Sequence, residues 1–269
     1  MLGAAEIRQL AESLDLRPTK KLGQNFVIDP NTIRKIVSAA NLEKDDVVVE
    51  IGPGLGSLTL GILEQVDQVV VIEIDKRLAE LLPATIQKHA PGKKIEIVQA
   101  DAMTVENLPL EPTALVANLP YNISVPVLIH FLETFPTIKK MLVMVQAEVA
   151  HRLAAKPGTK DYGSPSVKFA WFGKAVLAGN IGRSVFWPAP QVDSALVYFE
   201  RTRQESNKEV FRVIDAAFSM RRKTLRQALA GWAGSPALAE EILLKAGIDP
   251  SSRGEQLGIE DFVRVASSQ

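Results

Sequence analysis

The chain has 269 residues, 46% of them hydrophobic and 23% charged, with acids and bases in equal number and no cysteine. This is the composition of a soluble globular protein with one large domain, or one plus a small appendage, and it excludes disulfides, thiolate metal sites and cysteine nucleophiles. No apolar run reaches the ~18 residues of a membrane span and no signal-peptide core opens the chain, so a cytoplasmic protein with no membrane partner is expected.

The first elements are a short amphipathic helix over residues 3–14 and an irregular basic segment from Arg17 to Val27. Asp29-Pro30 then combines a capping carboxylate with a proline at the first helical position, which starts a helix running to about Ala40. From there, strands over 47–51, 68–73, 95–98, 113–117 and 139–146 alternate with helices over 57–64, 76–88 and 124–134, the pattern of a doubly wound sheet. Strands over 174–182 and 192–201 read as a hairpin-like edge. From Asn207 onward only helices are expected, over 207–218, 222–232, 236–246 and 259–267. The expected fold is therefore α/β, a Rossmann-like sheet over residues 1–203 followed by a small all-helical domain over 204–269.

Charge follows this division. Residues 42–118 hold thirteen acids and six bases, whereas residues 201–229 hold eight bases and three acids. The cluster Arg221, Arg222, Lys223 and Arg226 is a candidate phosphate-contacting surface, with a solvated helix face as the alternative.

Candidate site residues fall at successive strand ends. The first strand closes on Glu50 and runs into Gly52-Pro53-Gly54-Leu55-Gly56. The glycines permit a sharp strand-to-helix turn and leave the main chain bare for a ligand. The spacing is G-x-G-x-G, not the G-x-G-x-x-G of a dinucleotide loop. A carboxylate just ahead of it suits a cationic amino-acid ligand, S-adenosylmethionine, better than a diphosphate; a tight turn that binds nothing is the other reading. Glu73 lies 21 residues after Gly52, near the ~20-residue offset at which an acid meets a ribose diol. Asp101 can accept the exocyclic amine of an adenine, with Ala102 and Met103 against the ring. Asn118-Leu119-Pro120-Tyr121 ends the fourth strand and is similar to the N/D-P-P-Y/F turn of methyltransferases that act on ring-conjugated amines. There the Asn118 side-chain oxygen and a backbone carbonyl, as at Leu119, accept the two N–H bonds of the target, and Tyr121 stacks on the flipped base. No general base and no metal are expected.

Five stretches occur in order: Gly23-Gln24-Asn25-Phe26, Glu50 to Gly56, Asp101-Ala102-Met103, Asn118 to Ser124, and Phe186-Trp187-Pro188-Ala189-Pro190-Gln191-Val192-Asp193-Ser194-Ala195. Together they resemble the ribosomal RNA adenine dimethyltransferase family over residues 17–262. The resemblance implies transfer of four methyl groups from S-adenosylmethionine to N6 of two adjacent adenosines in the 3′-terminal hairpin of 16S rRNA, within an immature 30S subunit. It implies cofactor contacts from Asn25, Val27 (where the family usually has Leu), Gly52, Gly54, Glu73, Asp101, Ala102 and Asn118. It also offers Phe186 as a second aromatic wall opposite Tyr121, with Trp187 beside it leaving open which ring stacks. Dimethylation of 23S rRNA and a chiefly ribosome-assembly role are the rival functions. A monomer is expected.

Overall fold

The computed structural model describes residues 1–16, 25–120 and 123–269. The chain forms two compact units. The first contains residues 1–150 and 176–201, and the second residues 151–175 and 202–269. A single division at 203/204 therefore needs correcting: residues 151–175 pack with the C-terminal helices, although they lie inside the sequence of the sheet.

The first unit opens with α1 (Ala4–Ser13), β1 (Phe26–Val27) and α2 (Pro30–Ala39). As the sequence predicts, Asp29 caps α2: its carboxylate accepts from the Asn31 and Thr32 N–H groups, and Pro30 stands at the first turn. The βα series follows as β2 (Val47–Ile51), α3 (Ser57–Leu63), β3 (Gln68–Glu73), α4 (Lys76–His89), β4 (Ile95–Gln99), β5 (Ala114–Asn118), α5 (Ser124–Thr134) and β6 (Lys140–Gln146). Then come α6 (Ala147–Leu153), α7 (Ser164–Phe172), β7 (Gly173–Ile181), β8 (Phe186–Trp187) and β9 (Ser194–Arg201). The helices α6 and α7 and the β1–β8 ribbon are additions to the elements expected from the sequence.

Seven strands form one sheet in the order β4-β3-β2-β5-β6-β9-β7. Its centre is parallel, with Val49 paired to Val70 on one side and Leu115 on the other. Val48, Val49, Val70 and Val71 are fully buried, which is why these strands read as unbroken β-branched runs rather than alternating ones. Antiparallel β9 lies against β6, Leu196 opposite Met144. Because β2 has β3 on one flank and β5 on the other, the chain winds away in opposite directions from the β2/β5 boundary. That boundary is the switch point, where a crevice opens beyond the strands' carboxyl ends.

The second unit is helical: α7 with α8 (Lys208–Ser219), α9 (Leu225–Ala228), α10 (Ala230–Ala233), α11 (Pro236–Lys245) and α12 (Ile259–Ser267). Phe172, Phe211 and Phe262 lie in its core, and Phe172 meets Phe211 edge-on. The helix expected over 222–232 starts only at Leu225 and is interrupted at Leu229. Thr224 is extended, with φ −67 and ψ 159, so Arg221, Arg222 and Lys223 sit in a turn ahead of it. Among the described residues no helix is long and apolar enough to cross a membrane.

Candidate functional site

A cleft of the first unit lies over the β2/β5 switch point. Its walls come from Asn25–Val27, the loop residues Glu50–Leu55 with Ser57 and Leu58, the β3 end at Ile72–Ile74, Leu78, the β4 exit at Ala100–Ala102, and the β5 exit with Asn118, Pro120 and Ile123. The strand ends identified in the sequence thus meet in one place.

The glycine loop is built for close approach. Gly52, Gly54 and Gly56 have φ of +67, +58 and +93, values that L side chains avoid. A Cβ on Gly54 would stand 2.9 Å from the Phe26 ring, so Phe26 closes directly over the turn. The glycine N–H groups do not point outward for a phosphate. Gly52 N–H donates to the Ile72 carbonyl at 2.9 Å and Gly56 N–H to that of Pro53 at 3.0 Å, while Gly54 N–H donates to Glu73 Oε2 at 3.2 Å.

Glu73 is oriented from both sides, since its Oε1 accepts from the Asp75 N–H at 2.9 Å. Burial pushes its pKa up, against the pull of those backbone hydrogen bonds. Asp75, rather than Glu73, caps α4 by accepting from the Arg77 N–H. Asp101 is exposed on the cleft wall and accepts from the Met103 N–H with Oδ1 at 2.9 Å; Ala102 is buried beside it.

Glu50 is 1% exposed. Its Oε2 accepts from the Thr59 hydroxyl at 2.6 Å. Burial pushes the Glu50 carboxyl up to about 8, against the Thr59 hydrogen bond and with the nearby Glu73 charge adding to it. Three carboxylates line the cleft, and no Lys, Arg or His does so among the described residues. That charge balance, together with the committed glycine N–H groups, disfavours a diphosphate and favours a cation.

Asn118 donates from Nδ2 to the Asn25 backbone carbonyl at 3.0 Å. A carbonyl can only accept, so the amide's orientation is settled and Oδ1 remains as its acceptor. Leu119 N–H continues the ladder to the Met144 carbonyl at 3.0 Å, and its side chain is buried. Val27 lines the cleft and is itself buried. Tyr121 and Asn122 lie outside the described residues, as does the stretch from Arg17 to Gln24.

The structure places Phe186 elsewhere than expected. In the β1–β8 ribbon Phe26 faces Trp187 and Val27 faces Phe186, and successive side chains of a strand point to opposite faces. Phe186 therefore turns into the core, 3% exposed. Trp187 is half-buried and stacks on Phe26, with ring centroids 6.3 Å apart and planes at 23°. It thus shares a face of the ribbon with Phe26, the residue that covers the glycine loop.

Two further cleft residues escaped sequence reasoning. Ile74 is 55% exposed between Glu73 and Asp75; an isolated apolar residue between two acids at a strand end was the available signal. Ser57 is 7% exposed, and its hydroxyl has no hydrogen-bond partner; nothing in its sequence context announces that.

The four basic residues belong to the second unit. Arg221 donates to Glu255 at 3.3 Å and to the Lys160 carbonyl at 2.7 Å, and Arg226 pairs with Glu240 at 2.8 Å. Arg222 and Lys223 are exposed and make no ion pair among the described residues.

Residues 16–268 match the family described as ribosomal RNA adenine dimethylase. The chain is 57% identical to a ribosomal RNA small subunit methyltransferase A of Arthrobacter sp. (strain FB24), the match covering 100% of this chain and 93% of that protein. It is 58% identical to the protein of the same name from Streptomyces coelicolor, covering 99% and 96%. Among solved structures it resembles a dimethyladenosine transferase from Plasmodium falciparum, with a TM-score of 0.76 and 25% identity over 88% of this chain and 94% of that one. It also resembles the 23S rRNA methyltransferase ErmE, with a TM-score of 0.66 and 28% identity over 90% and 98%.

Proposed function

This chain belongs to the ribosomal RNA adenine dimethylase family, and on that premise we propose that it converts two adjacent adenosines of the small-subunit rRNA 3′-terminal hairpin to N6,N6-dimethyladenosine, using S-adenosylmethionine. The relatives at 57–58% identity carry the small-subunit name, whereas the 23S enzyme matches at 28%. The observation that carries the chemistry is the convergence of Glu50, Glu73, Asp101 and Asn118 on one cleft.

The residues fit this cofactor. Glu73 is held where its remaining lone pairs can take a ribose diol. Asp101 Oδ2 suits an adenine amine, with Ala102 and Ile74 as apolar walls. Glu50, buried with no basic residue beside it in the cleft, suits an α-ammonium. When bound, the cofactor supplies an activated methyl group, so the protein has to contribute position and polarity rather than a strong base.

The target nitrogen needs more help. The N6 lone pair of adenine is delocalised into the ring and is a poor nucleophile. Asn118 Oδ1 and a main-chain carbonyl of the Leu119-Pro120 turn accept its two N–H bonds, which favours a pyramidal nitrogen with its lone pair free. The Asn25 carbonyl holds the Asn118 amide in the required sense. Trp187, on the same ribbon face as Phe26, supplies an aromatic surface for the base, and Tyr121 the opposing one. The exposed Arg222 and Lys223 engage phosphates. The enzyme acts as a monomer on immature 30S subunits.

The test is transfer of labelled methyl groups to unmethylated 30S subunits and, in parallel, to protein-free 23S rRNA. Dimethyladenosine in the 16S 3′ hairpin is the expected result. Label confined to 23S rRNA overturns the substrate, and no label on either overturns the reaction.

A further inference from the structure

We propose that His130 is a positioning residue of the cofactor site: through a hydrogen bond to the Val105 carbonyl it holds the turn that presents Asp101 to the adenine amine. This rests on the cofactor reading above. Asp101 and Ala102 line the cleft, and residues Ala102–Thr104 make one 3-10 turn. Inside it the Met103 N–H donates to Asp101 Oδ1 at 2.9 Å. The Thr104 N–H and hydroxyl donate to the Asp101 carbonyl at 2.9 and 3.0 Å. Residues 101–104 therefore move as one piece. The piece is tied at its entry, where the Ala100 N–H donates to the Glu73 carbonyl at 3.2 Å. Its exit runs into irregular chain, residues 105–113, before β5 begins. There Val105 is buried, and its carbonyl lies 2.9 Å from His130 Nε2.

A carbonyl only accepts, so His130 Nε2 carries the hydrogen, and Nδ1 holds the lone pair in the neutral ring. One turn along α5, the Thr134 hydroxyl lies 3.4 Å from Nδ1, where it can donate and so favour that tautomer. The α5 helix also reaches the cleft at its other end, since Ile123, its cap residue, lines the wall. The bond from His130 thus ties the turn bearing Asp101 to the helix that borders the same cleft. A ligand-facing group is only as precise as the groups that hold it. Without His130, the exposed Asp101 carboxylate would keep its chemistry and lose its aim.

Two variants separate the hydrogen bond from packing. His130→Leu keeps bulk and loses the donor, whereas His130→Gln keeps an N–H near the position of Nε2. Wild type and variants are titrated by calorimetry with S-adenosylhomocysteine and with S-inosylhomocysteine, which has a keto oxygen in place of the 6-amino group. The wild type is expected to prefer the adenine compound by about tenfold or more, the scale of one hydrogen bond to a charged group. The Leu variant is expected to lose most of that preference and the Gln variant to keep it; a general loss of stability would weaken both ligands alike. An unchanged preference in the Leu variant, or an equal loss in the Gln variant, overturns the proposal. So does a wild-type nitrogen NMR spectrum that shows neutral His130 with its proton on Nδ1, a readout that needs no variant to fold. A wild type that binds neither ligand overturns the cofactor reading itself. A wild type that binds both equally overturns the adenine contact of Asp101, and this proposal with it.

Discussion

Asn118 and Asn25 are 93 residues apart in the chain, and the side-chain amide of one donates to the main-chain carbonyl of the other at 3.0 Å. The contact ties the exit of β5 to the segment entering β1, and so joins the end of the fourth parallel strand to the strand that covers the glycine loop. Asn118→Ala is expected to lower kcat by about a hundredfold, the scale of losing a preorganised polar group at a reacting centre, with a small change in S-adenosylmethionine affinity. Asn118→Asp is expected to be no better, because a carboxylate cannot donate to the Asn25 carbonyl. Single-turnover methylation of 30S subunits beside cofactor calorimetry checks both; an Asp variant with full activity would show that the donation to the Asn25 carbonyl is not needed, and a fully active Ala variant would remove the acceptor argument.

The buried Glu50 gives a pH signature. In the free protein its carboxyl is pushed up to about 8, so at lower pH a cation must displace a proton to bind. Affinity for S-adenosylmethionine is expected to rise about tenfold per pH unit toward 8 and to fall beyond it, as the ligand's α-amino group loses its charge at about 8. Glu50→Gln should flatten the rising limb and weaken binding. Stability runs the other way. Between the ordinary value near 4.5 and about 8, the unfolded chain has released a proton that the folded one retains. Wild-type stability therefore falls as pH rises through that window, and the Gln variant does not share the slope. Calorimetry and thermal melts across pH 5–9 measure the two effects.

The neighbouring aromatics of β8 should separate cleanly. Phe186→Ala opens the core and is expected to cost about 3–5 kcal/mol of stability. Trp187→Ala should cost far less stability but weaken RNA engagement by roughly 1–3 kcal/mol, the scale of stacking one base on an aromatic ring. Denaturant melts and RNA titrations decide it; reversed outcomes would restore Phe186 as the wall.

Among the basic residues, replacing Arg222 and Lys223 together with glutamine is expected to reduce the slope of log affinity against log salt by about 2, roughly 1 per phosphate contact. Arg226, engaged with Glu240, should change it less. An unchanged slope for the double variant would mean that this turn meets no phosphate.

The sheet and the cleft's carboxylates were legible in the sequence because they obey local rules. Val47 to Val49 and Val69 to Ile72 are β-branched runs, each followed by an acid, and Asp29-Pro30 and Asp75 are helix starts written in one or two residues. What was not legible depended on partners far away in the chain. Two-residue strands such as β1 and β8 have no periodicity to read, so the register that turns Phe186 inward and Trp187 toward Phe26 exists only once they pair. The α6 helix follows β6 without an intervening residue, which leaves no turn to punctuate the change. The helix expected over 222–232 starts late because its basic, high-propensity residues Arg222 and Lys223 lie in a turn before Thr224. The glycine loop was recognised as a ligand turn, but the commitment of its N–H groups was visible only from the Ile72 carbonyl and Glu73.

The placement of β9 has a consequence for how the chain is made. Residues 194–201 lie against β6 along its whole length, from Lys140 opposite Glu200 to Gln146 opposite Ser194. The first unit is thus interrupted in sequence by residues 151–175. During vectorial synthesis β6, carrying Met141, Leu142, Val143, Met144 and Val145, emerges some fifty residues before its neighbour. Until then it is an unpaired apolar edge. A nascent chain stalled after residue 150 would hold all four strand ends that line the cleft and still lack the strand that pairs with β6 beside them.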